Sequence, residues 1–207
     1  MIITNEIRWF HPGKIPKEVR LWFEQNCLIK PSPPEERTDV YLYSPGCDFL
    51  GIKLRQGRLE VKWCQAELGV VRFGELIEGN AEKWGKWLCE DSTGESFQPE
   101  TVLTKPSWIS VHKVRYAQLY QVLPDLSAQR VPANEGIKNA CSVELTQLAI
   151  DDNDWWSLAL EARGDDTRVM DNLQITGSLI FDTIDFVQLL RKNSYPYPKW
   201  LQLATDI

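Results

Sequence analysis

Leu50-Gly51-Ile52-Lys53-Leu54-Arg55-Gln56-Gly57-Arg58-Leu59-Glu60-Val61-Lys62 alternates apolar and charged side chains on either side of a Gln56-Gly57 pair. Side chains of a strand point to opposite faces in turn. Lys53 and Arg55 therefore share one face, with Leu54 on the other. Glu60 and Lys62 share a face in the same way, with Val61 opposite. A two-residue link containing glycine is the signature of a tight antiparallel hairpin.

The same pattern recurs along the chain. In residues 2–10, Ile3, Ile7 and Trp9 share one face and Thr4, Glu6 and Arg8 the other. Lys113 and Arg115 flank Val114 within a long β pattern over 107–123. Ser142, Glu144 and Thr146 share a face in 140–150, as do Ser157, Ala159 and Glu161 in 155–163. Residues 38–43 read as a further strand. Each strand thus has an apolar side and a charged side.

The connecting segments carry turn and helix signals. His11-Pro12-Gly13 ends the first strand, and 16–26 reads as a short amphipathic helix. Residues 31–36 and 124–136 read as loops, and Ser44-Pro45-Gly46 as a turn. Within 70–91, residues 70–73 fit a strand, while 81–89 fit either a strand or a helical turn. Residues 91–99 read as a polar loop. The acidic turn 151–154 separates two strands. Residues 170–190 read as one or two helices broken near Gly177, and 195–200 as an irregular strap. The expected fold is α+β and mainly antiparallel β: a closed or partly open barrel with a few flanking helices. One domain is expected over 1–207, with its barrel core at about 2–163 and a helical segment and tail at 164–207.

Composition narrows the function classes. The 207 residues are 43% hydrophobic, enough for a core. No run of about 18 apolar residues suggests a membrane span, and the first residues do not read as a secretory signal. With 23 basic and 29 acidic side chains, the net charge of −6 argues against a general nucleic-acid binder. Five cysteines, none spaced as CxxC, read as free thiols in a reducing cytoplasm, with a metal site as the minor alternative. His11 and His112 read as structural. No P-loop and no GxSxG occurs. Nine tryptophans read mostly as core. Trp155-Trp156, or Trp84 with Trp87, would alternatively form a stacking surface.

Two readings of the charged faces stand side by side. In one they meet water, as in a half-exposed antiparallel sheet. In the other they line the inside of a closed barrel. Arg8, Lys53, Arg55, Lys62, Lys113 and Arg115 would then mix with Glu6, Glu60, Glu144 and Glu161 in a confined space. Confined charges need partners. A phosphorylated or other anionic small molecule would supply them for the cations, and a divalent metal for the carboxylates.

The order of these segments resembles the CYTH-like superfamily, the triphosphate tunnel proteins. Thr4-Asn5-Glu6-Ile7-Arg8 is similar to that family's ExExK strand, with Thr4 in place of the first Glu and Arg8 in place of Lys. Thr38-Asp39-Val40-Tyr41-Leu42, Leu50 to Arg55 and Leu59-Glu60-Val61-Lys62 resemble the strands that follow. Lys113-Val114-Arg115 resembles a later KxR strand, and Ser142-Val143-Glu144-Leu145 a late acidic one. Ala159-Leu160-Glu161 falls where a final ExE is expected. The resemblance implies an antiparallel tunnel that hydrolyses a triphosphate or polyphosphate compound with Mg²⁺ or Mn²⁺. It puts the six cations on the phosphates and Glu6, Glu144 and Glu161 on the metal. Thr4 and Ala159 remove two carboxylates that the family pattern calls for. The alternatives are a non-catalytic anion-binding protein on the same scaffold, or a module whose exposed Trp84, Trp87 and Trp200 bind a protein partner.

Overall fold

The computed structural model describes residues 1–30, 33–89, 107–132, 136–164 and 167–205. The elements in chain order are β1 (Ile2–Pro12), α1 (Lys17–Trp22), β2 (Glu35–Leu42), β3 (Leu50–Arg55) and β4 (Arg58–Phe73). Then come β5 (Ile77–Cys89), β6 (Trp108–Val122), β7 (Ala128–Val131), β8 (Ala140–Ile150), β9 (Asn153–Arg163), α2 (Val169–Phe181) and α3 (Tyr197–Thr205). A π-helical turn, Phe23–Cys27, continues α1.

The strands run in the order β2-β3-β4-β5-β1-β9-β8-β6, and β6 pairs back onto β2, which closes an eight-stranded antiparallel barrel. The closing seam runs from Glu35 opposite Arg115 to Leu42 opposite Trp108. Beyond that seam the far end of β6 pairs instead with β7, a ninth strand outside the barrel. The β3–β4 hairpin turns on Gln56 and Gly57, both at positive φ (50° and 75°). That is the geometry whose twist matches the flanking strands.

The main apolar core lies outside the barrel. Ile7, Trp9, Val143, Leu145, Leu158 and Leu160 point outward and are buried beneath α1 and α2, against Trp22, Phe23, Leu173 and Ile180. A second apolar cluster fills one end of the barrel. There the inward-facing Phe10, Val111, Leu148 and Trp155 meet Trp200, Leu201 and Ala204 of α3. Phe10 stacks on Trp200 (5.1 Å between ring centres) and on Tyr195 (5.4 Å). The chain reaches this end through Ser194, which bridges to Trp9 and whose Oγ accepts from the Asn80 N–H. Among the described residues, no helix is long and apolar enough to cross a membrane.

Several sequence expectations need correction. β2 starts at Glu35, inside the stretch read as loop, because Glu35 to Arg37 extend the seam with β6. β4 runs through to Phe73 as one strand, with irregularities between Cys64 and Ala66 and between Glu67 and Gly69. Such bulges bend a strand, and they carry Val71 and Phe73 onto the outer core. Residues 81–89 are strand, not helix, and β7 lies within the expected loop 124–136. The polar loop at 91–99 lies outside the described residues. Trp155 and Trp156 face opposite sides of β9, both buried, so they form no stacking surface. Residues 197–205 are a helix rather than an irregular strap; Pro198 sits in its first turn, where a missing N–H costs nothing.

The helix α2 is unbroken at Gly177. This glycine serves close packing: a Cβ there would lie 2.3 Å from the Phe73 ring and 3.1 Å from Leu160. Gly→Ala inside an exposed helix gains about 1 kcal/mol. At Gly177 the substitution should instead destabilise by roughly 1–3 kcal/mol, because Phe73 must give way in a filled core. Urea unfolding of G177A measures this; an unchanged or raised midpoint would contradict the packing described.

Candidate functional site

Residues on the barrel's inner face surround a cavity of about 210 Å³. All six cations expected from the sequence line it: Arg8, Lys53, Arg55, Lys62, Lys113 and Arg115. So do Glu6, Glu60, Glu144 and Glu161. The reading in which these faces meet open water is therefore corrected. The sequence reading missed Arg37 of β2 and both Lys86 and Glu82 of β5. Their signal was the same alternation, in Glu35-x-Arg37-x-Asp39 and Glu82-x-Trp84-x-Lys86. It was obscured because one stretch looked like loop and the other like a helical turn.

The charges form a nearly continuous network. Asp39, fully buried, takes Arg37 (3.1 Å), Lys53 (3.3 Å) and Lys113 (3.0 Å). Glu60 takes Lys53 (3.1 Å) and Lys86 (3.5 Å). Glu35 takes Arg55 (3.3 Å) and Arg115 (2.9 Å) and also pairs with Arg37. Glu144 takes Arg8 (3.4 Å) and Arg115. Lys62 bridges Glu6 and Glu161. Arg8 and Lys113 both lie over the Tyr197 ring, at 5.3 Å and 4.3 Å, and Lys113 also lies over Tyr41 at 4.7 Å.

These contacts set the protonation states. Burial alone would raise the Asp39 carboxyl, but Lys113, Lys53 and Arg37 outweigh it and hold Asp39 well below the usual carboxylate range. Glu144 is likewise buried yet held low by Arg115 and Arg8. Burial draws Lys113 down to about 7, against the pull of Asp39, and Lys53 down to about 8. Glu82 stands opposite Glu6 on β1 and Glu67 on β4. Burial together with those two carboxylates pushes it up to about 7, although the Trp84 indole N–H donates to it at 2.9 Å.

The three carboxylates expected to hold Mg²⁺ or Mn²⁺ are each engaged by a cation: Glu6 and Glu161 by Lys62, and Glu144 by Arg8 and Arg115. Among the described residues, no group of three His, Cys, Asp or Glu side chains comes together as a metal cage. As arranged, this donor set does not fit a divalent ion. The histidines stand apart from the cavity: His112 is exposed and bonded to Glu36, and His11 stacks on Trp156. All five cysteines are free. Trp84 and Trp200 are buried, while Trp87 is 53% exposed. These three tryptophans therefore make no shared exposed patch.

No protein-family model matches the chain, and no curated protein matches it. Among solved structures, it is similar to a conserved hypothetical protein from Pyrococcus furiosus, with 13% identity over 95% of this chain and 98% of that one and a TM-score of 0.44.

Two outcomes follow from the charge network. A carboxyl that binds its proton more tightly folded than unfolded makes the fold lose stability as pH rises between its two pKa values. For Glu82 that interval runs from its ordinary 4.5 to about 7. Glu82→Gln should therefore flatten the decline in stability between pH 5 and 7. It should leave the variant more stable than the parent at pH 8, by roughly 1–2 kcal/mol after allowing for partial solvent contact. Thermal melts across that pH range check it, and parallel curves for the two proteins would be the contrary result. Asp39→Asn strands three cations around a neutral group and should cost about 3–5 kcal/mol in denaturant unfolding without added anion.

Proposed function

We propose that this protein binds a triphosphate or polyphosphate compound inside the barrel, as a divergent relative of the triphosphate tunnel proteins. One observation carries the reading: eight cations from six strands, Arg8, Arg37, Lys53, Arg55, Lys62, Lys86, Lys113 and Arg115, line a single cavity. Five carboxylates line it with them: Glu6, Glu60, Glu82, Glu144 and Glu161. Glu82, held near neutrality, carries less than a full negative charge at pH 7. An anion with several oxygens would take over contacts that Asp39, Glu60 and Glu144 now make. Guanidinium groups suit phosphate by their fork geometry and ammonium groups as point charges. With a net charge of −6 the chain as a whole repels anions, so the attraction is assigned to the cations gathered in the barrel. The closed antiparallel barrel supports the family reading by architecture.

A second reading, hydrolysis of the bound compound with Mg²⁺ or Mn²⁺, is favoured by one further observation. Glu6 stands directly opposite Glu161 across β1 and β9, both reaching Lys62. As arranged both carboxylates are taken by Lys62, so this reading requires Lys62 to be displaced. Glu144 is drawn aside by its arginines. Binding alone is therefore the reading the geometry supports better. Release of phosphate from any of a panel of triphosphates with Mg²⁺ or Mn²⁺ would favour hydrolysis, and its absence alongside measurable binding would leave a binding protein.

Isothermal titration with inorganic tripolyphosphate, at fixed ionic strength, tests the proposal. Saturable binding at one site per chain is expected, together with a raised melting temperature, since a ligand that binds only the folded state stabilises it. Lys86→Met removes a cation whose partner, Glu60, still has Lys53 and Arg55. It should weaken binding by about tenfold, equivalent to the loss of one charge-assisted contact, with little change in stability. No binding at any salt concentration would sink the proposal.

A further inference from the structure

The cavity is closed at one end by packed side chains. At one end α3 enters the barrel and packs Trp200, fully buried, against the inward-facing Phe10 and Trp155. Tyr197 at the start of α3 lies parallel to Tyr41 of the barrel wall, 5.3 Å between ring centres, and Pro198 rests on Gly51. These rings floor the cavity. Asp39 and Lys113, which contact Tyr41, are the most buried of the cavity's charged side chains. Asp39 is 0% exposed, Lys113 4% and Arg37 9%, whereas Arg55 and Arg115 are each 24% and Lys62 28%.

The distribution of charge follows the same axis. At the floor, Lys113 has Asp39 as its carboxylate partner and shares it with Arg37 and Lys53, which also reach Glu35 and Glu60, while Arg8 lies on Tyr197 and pairs with Glu144. Further out, Glu6, Glu161, Glu60 and Glu35 are interleaved with Lys62, Lys86, Arg55 and Arg115. The deepest cation, Lys113, therefore has a single carboxylate partner, which two other cations share. An entering anion gains most by putting its terminal, most highly charged group against the floor.

Resting on the anion-binding reading above, we infer that the barrel is a blind socket that reads the end of a phosphate chain, not a passage through which a chain is threaded. The ligand class is then a compact polyphosphate or a molecule with a terminal polyphosphate group whose remainder lies outside the mouth. Polymers bind only by their ends. The chain's net charge of −6 disfavours a second track for a polyanion outside the barrel.

Stoichiometry decides this. The full chain is titrated with inorganic tripolyphosphate and with two preparations of long-chain inorganic polyphosphate, one twice the length of the other. Bound protein per chain is read by calorimetry and by sedimentation. The expected result is one tripolyphosphate per protein and no more than one protein at each end of a long chain, with the number bound unchanged when chain length doubles. A number that grows with chain length overturns the socket while leaving the anion site intact. Absence of tripolyphosphate binding overturns the anion site itself, and the socket with it. A folded Lys53→Met variant provides a check on depth. It should lose affinity for tripolyphosphate and for long-chain ends by the same factor, whereas a loss confined to tripolyphosphate would contradict binding by the terminal group.

Discussion

Charge enclosed in a barrel has to be balanced by the protein itself before any ligand arrives. An unpaired ion removed from water carries a penalty of several kcal/mol even after relaxation. Here the balance rests most heavily on Asp39, which takes three cations, and on Glu144, Glu60 and Glu35, each of which takes at least two. The seam between β2 and β6 brings Asp39 alongside Lys113, and the β2–β3 pairing brings Lys53. Closing the barrel and neutralising its interior are thus one event. Without the seam, Asp39 would lose Lys113, and Glu35 would lose Arg115.

An interior given over to charge cannot also supply the hydrophobic driving force. That force comes from the outer face, where α1 and α2 cover the apolar sides of β1, β8 and β9. Gly177 marks how tightly α2 approaches, with no room for a methyl group above Phe73. The exception to the charged interior is the end occupied by α3, where Phe10, Val111, Leu148 and Trp155 turn an apolar surface inward. The barrel is therefore apolar at its base and ionic above it. Tyr41 and Tyr197 form the boundary, with rings suited to cations and to hydrocarbon alike.

The alternation of β1, β3, β4, β6, β8 and β9 was legible in the sequence because each has a strict two-residue period, and the Gln56-Gly57 turn fixed one hairpin. Which side faced inward was not. A strand with one apolar and one charged face looks the same whether it wraps water or wraps a helix-covered core. That choice depends on closure, a relation between Glu35–Leu42 and the facing part of β6 across the three strands that lie between them in the chain. Arg37 and Lys86 went unnoticed for local reasons: the prolines before Glu35 mimic a loop, and Gly85 sits in a segment whose spacing also fits a helix. Gly85 is in fact needed to seat the Trp63 ring, which a Cβ would meet at 2.5 Å. Residues 195 and 196 are irregular as expected, but Pro198 hides the helix that starts at Tyr197, since a proline in a first helical turn is compatible with the helix that follows.

The placement of the hydrophobic core outside the barrel wall has a consequence for how such a protein can change. Along β1, Ile7 and Trp9 belong to the packing, while Glu6 and Arg8 belong to the cavity. Two texts are interleaved letter by letter on the same backbone, one spelling the scaffold and the other the site. Mutation can redraft the second while leaving the first intact, provided each lost charge is matched by a neighbour across the barrel. Thr4 and Ala159 show that inward-facing positions of adjacent strands accept small uncharged side chains as well as charges. A scaffold built this way can change what its cavity holds without having to discover a new fold.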